Sequence, residues 1–377
     1  MKIEVYSPTI RRKEMDAVLT ALVEDKIGPG EQSKLLIHSA REKLSFDYCA
    51  ALRSPAIALY MALKSLDLRD GQGVALSALS PLYYVRVLED LRLKPLYCDV
   101  LPSAAYMGRE TIEAAVRAKS GELEVRAVIL HHTLGYFPDG AAVAGLGIPV
   151  IEDCSQSYGT VYGEEKAADG SGPPAGAAPP ASYAGSSGVF TILGLEERDM
   201  LTSGGGALLY ASNRRDGAVL RGLGDLPPEY GLPDMNAAMA VVQFRESAKN
   251  LAKRAEIARV YNQSALRTRH QRFIQHDVSD KAARNEGEEA PRSVEYNNFS
   301  FPLILETGMK DVKAYARRKD IAVESAFEHT PVGLGMAAQE DCPEAYSLSL
   351  RTVLFPLYPR LGVQEIERVS KLILTLP

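Results

Sequence analysis

The segment VIEDCSQSYG (150–159) carries the residues best placed to do chemistry in this chain. A short apolar run ends in an acidic pair and passes at once into small polar residues. In an open α/β sheet, ligands bind beyond the carboxyl ends of the strands. A carboxylate at Asp153 therefore stands where it can hold a cation or a protonated ring nitrogen. The competing reading is structural, since Asp is a favoured N-cap and Asp153 can cap a following helix. His131 and His132 end an earlier apolar run, VRAVIL (125–130), and form a second pair able to touch a ligand. The glycine stretch Ser203-Gly204-Gly205-Gly206 suggests a phosphate cradle, but no Walker-type lysine or strand–loop–helix pattern accompanies it. A turn between two antiparallel strands accounts for those glycines.

The elements that must position these residues alternate through the first two thirds of the chain. Apolar positions at helical spacing (Ile10, Met15, Val18, Leu19, Leu22) stop at Gly28-Pro29-Gly30. A second helix is expected from about Ser33 to Cys49. A third opens at Pro55, whose missing N–H would be unpaired at a first helical turn anyway. Short apolar runs follow at GVALS, KPLYCDV, VRAVIL and IPVIED, each set off by a helical or polar stretch. This alternation predicts an α/β fold with a mostly parallel sheet flanked by helices. Residues 163–188 are rich in Gly, Pro, Ala and Ser and read as a long, poorly ordered surface loop. GVFTIL and ALLYAS resume the strands, and 234–268 reads as one long helix. A polar stretch, DVSDKAARNEGEEAPRS, reads as a loop. FSFPLIL, a helix near 310–319, IAVES and a final helix from about 363 complete the pattern. The division expected is a large α/β domain over 1–245 and a smaller α+β domain over 246–377.

Composition excludes several classes of function. The 377 residues are 24% charged with a formal net charge of −5, and no basic block favours nucleic acid. No apolar run reaches the length of a membrane span, and the N-terminus lacks the apolar core of a signal peptide. The four cysteines lie far apart without a CxxC pair, so neither a disulfide framework nor a metal site is expected. A soluble cytoplasmic protein is the resulting expectation.

Several stretches, taken in order, resemble the DegT/DnrJ/StrS family of pyridoxal-phosphate (PLP)-dependent sugar aminotransferases. They are IGPGEQ, KPLYCDV, VILHHTLGYFPD, IEDCSQSYG, LTSGGGALLYAS, the helix from Asn236 to Asn262, and LFPLYPRLGVQEIERV. The resemblance implies a type I PLP-dependent transferase fold and a homodimer with sites at its interface. It also implies a nucleotide-linked keto-sugar as ligand, for surface polysaccharide or deoxysugar synthesis. Carried over by position, Asp153 falls where the family pairs with the ring nitrogen. Gln156 falls near the ring hydroxyl, and Thr191 where a phosphate-binding hydroxyl belongs. The phosphate cup reads Ser54-Pro55-Ala56, where Pro55 has no N–H and Ala56 no hydroxyl, so only Ser54 and Ala56 remain as vestigial contacts. The stacking aromatic aligns with Pro81, with Tyr83 or Tyr84 one small register shift away, each equally readable as core or surface packing. The partner-subunit Asn stretch reads Glu229-Tyr230-Gly231.

The largest departure is the Schiff-base lysine. Its position is Arg198 or Glu196, depending on the end counted from, and neither forms an imine. Register does not rescue it, because no lysine occurs between Lys166 and Lys249. The family's dehydrating branch places a His there, and none occurs between His132 and His270. Lys166 belongs to the Gly/Pro-rich stretch, whereas catalytic groups are normally held on rigid elements. The expectation is a family fold without a covalent internal aldimine. Such a chain would act as a nucleotide-sugar binder or as the partner of an active paralogue; the alternative is an active PLP- or pyridoxamine-phosphate-dependent enzyme with another base.

Overall fold

The computed structural model describes residues 2–164, 182–224, 226–274, 292–306 and 308–377. Its centre is a seven-stranded sheet. The strands are β1 (Tyr48–Leu52), β2 (Gly73–Ser77), β3 (Lys94–Cys98), β4 (Val125–His131), β5 (Val150–Asp153), β8 (Phe190–Gly194) and β9 (Ala207–Ala211). They run in the order β1-β9-β8-β5-β4-β2-β3. Every junction from β8 to β3 is parallel, while β9 pairs antiparallel with both of its neighbours. The helices that precede, connect and follow these strands are α1 (Arg12–Val23), α2 (Glu31–Arg41), α3 (Pro55–Ser65), α4 (Tyr83–Asp90), α5 (Arg109–Ala118), α6 (Gly140–Ala144) and α7 (Arg214–Arg221). Parallel strands need crossovers, and α4, α5 and α6 lie in those that join β2, β3, β4 and β5.

Burial on both faces explains why these strands read as near-continuous apolar runs. One face (Ala127, Ile129, Ile151, Phe190, Ile192, Leu209) packs against α3 and α4. The other divides in two. Val128, Leu130 and Val150 meet Ile112 of α5 and Val143 of α6, whereas Leu193, Leu208 and Tyr210 meet α2 and the start of α8 (Asp234–Ala265). Asp234 fixes that last contact. Its buried carboxylate accepts from the N–H groups of Gly30, Gln32 and Ser33 at 2.9–3.1 Å, holding the IGPGEQ turn and the first orphan donors of α2.

Smaller sheets surround this centre. β6 (Val161–Glu164) pairs antiparallel with β7 (Ser182–Tyr183) and with β10 (Arg292–Glu295). β11 (Phe301–Ile304), β13 (Thr352–Phe355) and β12 (Glu324–Ser325) form a third sheet. That sheet shares a core with the second half of α8, with α9 (Met309–Arg317) and with α11 (Val363–Leu374), while α10 (Pro343–Arg351) leads into β13. Ile3, at the opposite end of the chain, is buried in the same core and bridges to Ile321.

The described residues correct the sequence reading at some boundaries. The second helix ends at Arg41, and Tyr48–Leu52 leaves it to pair with β9 as an edge strand. Of the expected 163–188 loop, 163–164 and 182–183 are strand and 184–188 form a turn, while 165–181 lies outside the described residues; so do 277–291 of the expected polar stretch 277–293. Ser203–Gly206 lies in the connection between antiparallel β8 and β9, with Gly204, Gly205 and Gly206 all at positive φ. Among the described residues no helix is long and apolar enough to cross a membrane.

Candidate functional site

Three strand ends build the site. β5 delivers Asp153, β4 delivers His131 in register beside it, and β2 leads through Pro81 into α4, whose first residues are Tyr83 and Tyr84. Asp153 is 1% exposed and both of its carboxylate oxygens are engaged. Oδ2 accepts from the Tyr83 and Tyr84 hydroxyls at 2.7 and 2.6 Å. Oδ1 accepts from the Ser155 N–H at 3.0 Å and from the Ser155 hydroxyl. Ser155 Oγ in turn accepts from the Gly194 N–H at 2.8 Å, tying β5 to β8. Burial first, and the Asp153 charge second, push both tyrosine hydroxyls well above their ordinary range, so they stay protonated as donors. The two rings meet edge to face at 4.7 Å, and Tyr84 meets the His131 ring edge to face at 5.9 Å. His131 is held by Thr133 through Nδ1, and burial lowers its pKa.

Asp199 is the member of this site that sequence reasoning missed. The residue as a whole is half-buried, but its carboxyl turns inward and accepts from the Glu196 N–H at 2.8 Å. Desolvation, with added repulsion from Asp153 and Glu196, pushes it up to about 7. Nothing in the local sequence marks this. Asp199 belongs to the connection LEERDM, and only the folded chain brings it under β5 and β8.

The other expected residues fall in different places. Ser54 caps α3, accepting from the Ile57 N–H at 3.2 Å, with Pro55 behind it at the first helical position. Ala56 packs against the core shared with α4. Gln156, just past β5, uses its side chain on the turn after β4, accepting from the Leu134 N–H at 2.7 Å. Leu134 stands there at φ 56°, a left-handed conformation uncommon for a leucine, and this bond is one of those that hold it.

Thr191 stands apart from Asp153. It pairs in register with Glu152, so it lies on the sheet face opposite Asp153, and its hydroxyl donates to the Gly185 carbonyl at 2.9 Å. Strand alternation makes that unavoidable once the register is known. Tyr83 and Tyr84 meet Asp153 through their hydroxyls, with Tyr84 fully buried. Neither candidate for the lysine position is bonded to Asp153 through its side chain. Arg198 Nη1 reaches Glu324 at 2.8 Å in an exposed ion pair, and Glu196 contributes its backbone N–H to Asp199.

Comparison with known proteins places this geometry. A model of the DegT/DnrJ/EryC1/StrS aminotransferase family matches residues 8–178 and 220–374. The aminotransferase TlmJ from Streptoalloteichus hindustanus superposes with a TM-score of 0.79 at 17% identity, covering 98% of this chain and 97% of its own. Spr1654 from Streptococcus pneumoniae, in its PLP form, gives 0.80 at 16% identity, covering 100% and 98%. A mutant GDP-4-keto-6-deoxymannose-3-dehydratase with bound GDP-perosamine gives 0.76 at 14% identity, covering 98% and 100%.

Proposed function

The chain belongs to the DegT/DnrJ/EryC1/StrS aminotransferase family, and we propose that it keeps the family's fold without its Schiff-base transamination. The observation that carries this reading is the closure of Asp153. In a PLP enzyme such a carboxylate keeps one oxygen for the pyridinium nitrogen, which makes the ring an electron sink. Here four donors from Tyr83, Tyr84 and Ser155 occupy both oxygens. The remaining residues do not fit the cofactor either. The cup at α3 lacks the N–H of Pro55, and Thr191 faces the other way. Described residues 182–224 contain no lysine. No reaction step can be routed through a cofactor these residues do not hold.

The role that remains is binding. We assign the chain to the nucleotide-sugar side of the family, as a homodimeric binding or regulatory partner of an active paralogue. GDP-perosamine bound to a dehydratase of this fold supports a ligand of that class. The test is direct. Purified protein is incubated with PLP, scanned for the visible aldimine band and reduced with borohydride, and its peptides are mapped. No band and no lysine adduct are expected, while calorimetric titration with a GDP-sugar gives saturable binding. A reducible band mapping to a single lysine would overturn the reading.

A further inference from the structure

Behind Asp153, on the opposite face of the sheet, three side chains converge that the proposed function does not use. Glu152 is the penultimate residue of β5, Cys154 follows the strand, and His132 follows β4. They are 1%, 2% and 1% exposed. His132 Nε2 lies 3.6 Å from Glu152 Oε2, and Cys154 Sγ lies 3.9 Å from the same oxygen and 3.8 Å from His132 Nδ1. One ligand atom from each residue falls within 4.8 Å of the other two.

The hydrogen bonding around this cluster is complete except at one atom. Glu152 Oε1 accepts from the Ser187 N–H at 2.8 Å. His132 Nδ1 is bonded to Ser157 Oγ at 2.7 Å, and the ring packs edge to face on Phe137. His132 Nε2 is buried and has no partner among the described residues. At 3.6 Å it is too far from Glu152 for a hydrogen bond, whichever tautomer is drawn. A buried, unpaired ring nitrogen facing a buried carboxylate beyond hydrogen-bond reach is costly as it stands. A cation between the three removes that cost.

We propose that His132, Glu152 and Cys154 form a binding site for a divalent metal ion of the zinc class. The donor set is the one zinc takes, combining thiolate, imidazole and carboxylate. Ser157 acts on Nδ1 as the outer partner of a metal-bound histidine does, directing Nε2 inward. The charges balance as well. Binding releases the Cys154 thiol proton to solvent, and the thiolate and carboxylate together neutralise the two positive charges. Cys154 also lines a cavity of about 200 Å³ between the sheet, the end of α2 and the middle of α8, with Tyr158, Tyr210 and Leu251 among its walls. That cavity gives an entry route, and three protein ligands leave a fourth position for water.

Metal-stripped full-length protein titrated with cobalt(II) alone tests this without any variant. A thiolate-to-cobalt charge-transfer band and tetrahedral d–d absorption that saturate at one equivalent are expected. Zinc should then displace the cobalt, and the zinc-loaded protein should melt at a higher temperature than the stripped form, while magnesium leaves it unchanged. In Cys154→Ala the charge-transfer band should vanish and zinc affinity fall at least tenfold. Cobalt spectra without a thiolate band, or full zinc affinity retained in Cys154→Ala, would overturn the site.

Discussion

Asp153 and its neighbours Glu152 and Cys154 leave one strand end on opposite faces, and the two pockets they enter are finished differently. On the α4 face every acceptor position used by Asp153 is met from within the chain, by two tyrosines and a serine. On the other face the Glu152 carboxylate is anchored by a backbone N–H, yet the nitrogen opposite it is left unpaired. The first pocket has the character of a core and the second that of a receptor. A satisfied buried network rigidifies, whereas an unsatisfied buried group marks a place where something else belongs. In this family the first pocket is the one expected to receive a ligand, so the closure of Asp153 is the informative departure.

The largest effect should come from breaking the closed side. Asp153→Ala strands two buried tyrosine hydroxyls and should cost about 3–5 kcal/mol in urea unfolding. Tyr84→Phe removes a single bond to a charged acceptor and should cost about 1.5–3 kcal/mol. If both variants unfold at the wild-type midpoint, Asp153 is not locked and the contrast between the faces fails.

A subtler test uses pH. Asp199 is raised from its ordinary 3.8 to about 7, with Asp153, Glu196, Tyr6 and Tyr83 as its charged and titratable neighbours. Well below pH 3.8 the carboxyl is protonated in both states and its burial carries no charge penalty. As pH rises towards 7 the unfolded chain releases the proton while the folded chain retains it, so stability should fall across that window. Asp199→Asn should flatten this part of the stability profile. An unchanged slope in the variant would place the titration elsewhere.

Legibility followed the physics of each signal. Strand runs such as VRAVIL and IPVIED announced the parallel sheet because both of its faces are buried, and the polar break after Asp153 announced a strand end. The type of Thr191 suits a phosphate site, but its direction depends on the β5–β8 register, which no local pattern carries. The Tyr83 and Tyr84 contacts require α4 to fold back over β5, some seventy positions along the chain. The His132, Glu152 and Cys154 cluster was invisible for the same reason. Metal-ligand spacing is read within one segment, whereas these residues become neighbours only because β4 and β5 lie side by side. Ile3 joined the C-terminal core through one bridge, too little for any periodic pattern to reveal.

The smallest effect expected is at Arg198, and it separates absence of the lysine from displacement of its whole segment. If the segment still approached the pocket, Arg198→Lys would install the missing amine and restore an aldimine band with PLP. The structure instead turns this side chain to the surface, where it pairs with Glu324 and passes over the Tyr6 ring at 5.8 Å. An exposed pair of this kind contributes about 0–1 kcal/mol. Arg198→Ala should therefore shift the unfolding midpoint barely at all, and Arg198→Lys should give no borohydride-fixed adduct. A band in Arg198→Lys would mean that the α4-side pocket at Asp153 still opens to a cofactor. The two tyrosines would then be a removable cover, and the proposal of a closed site would fall with them.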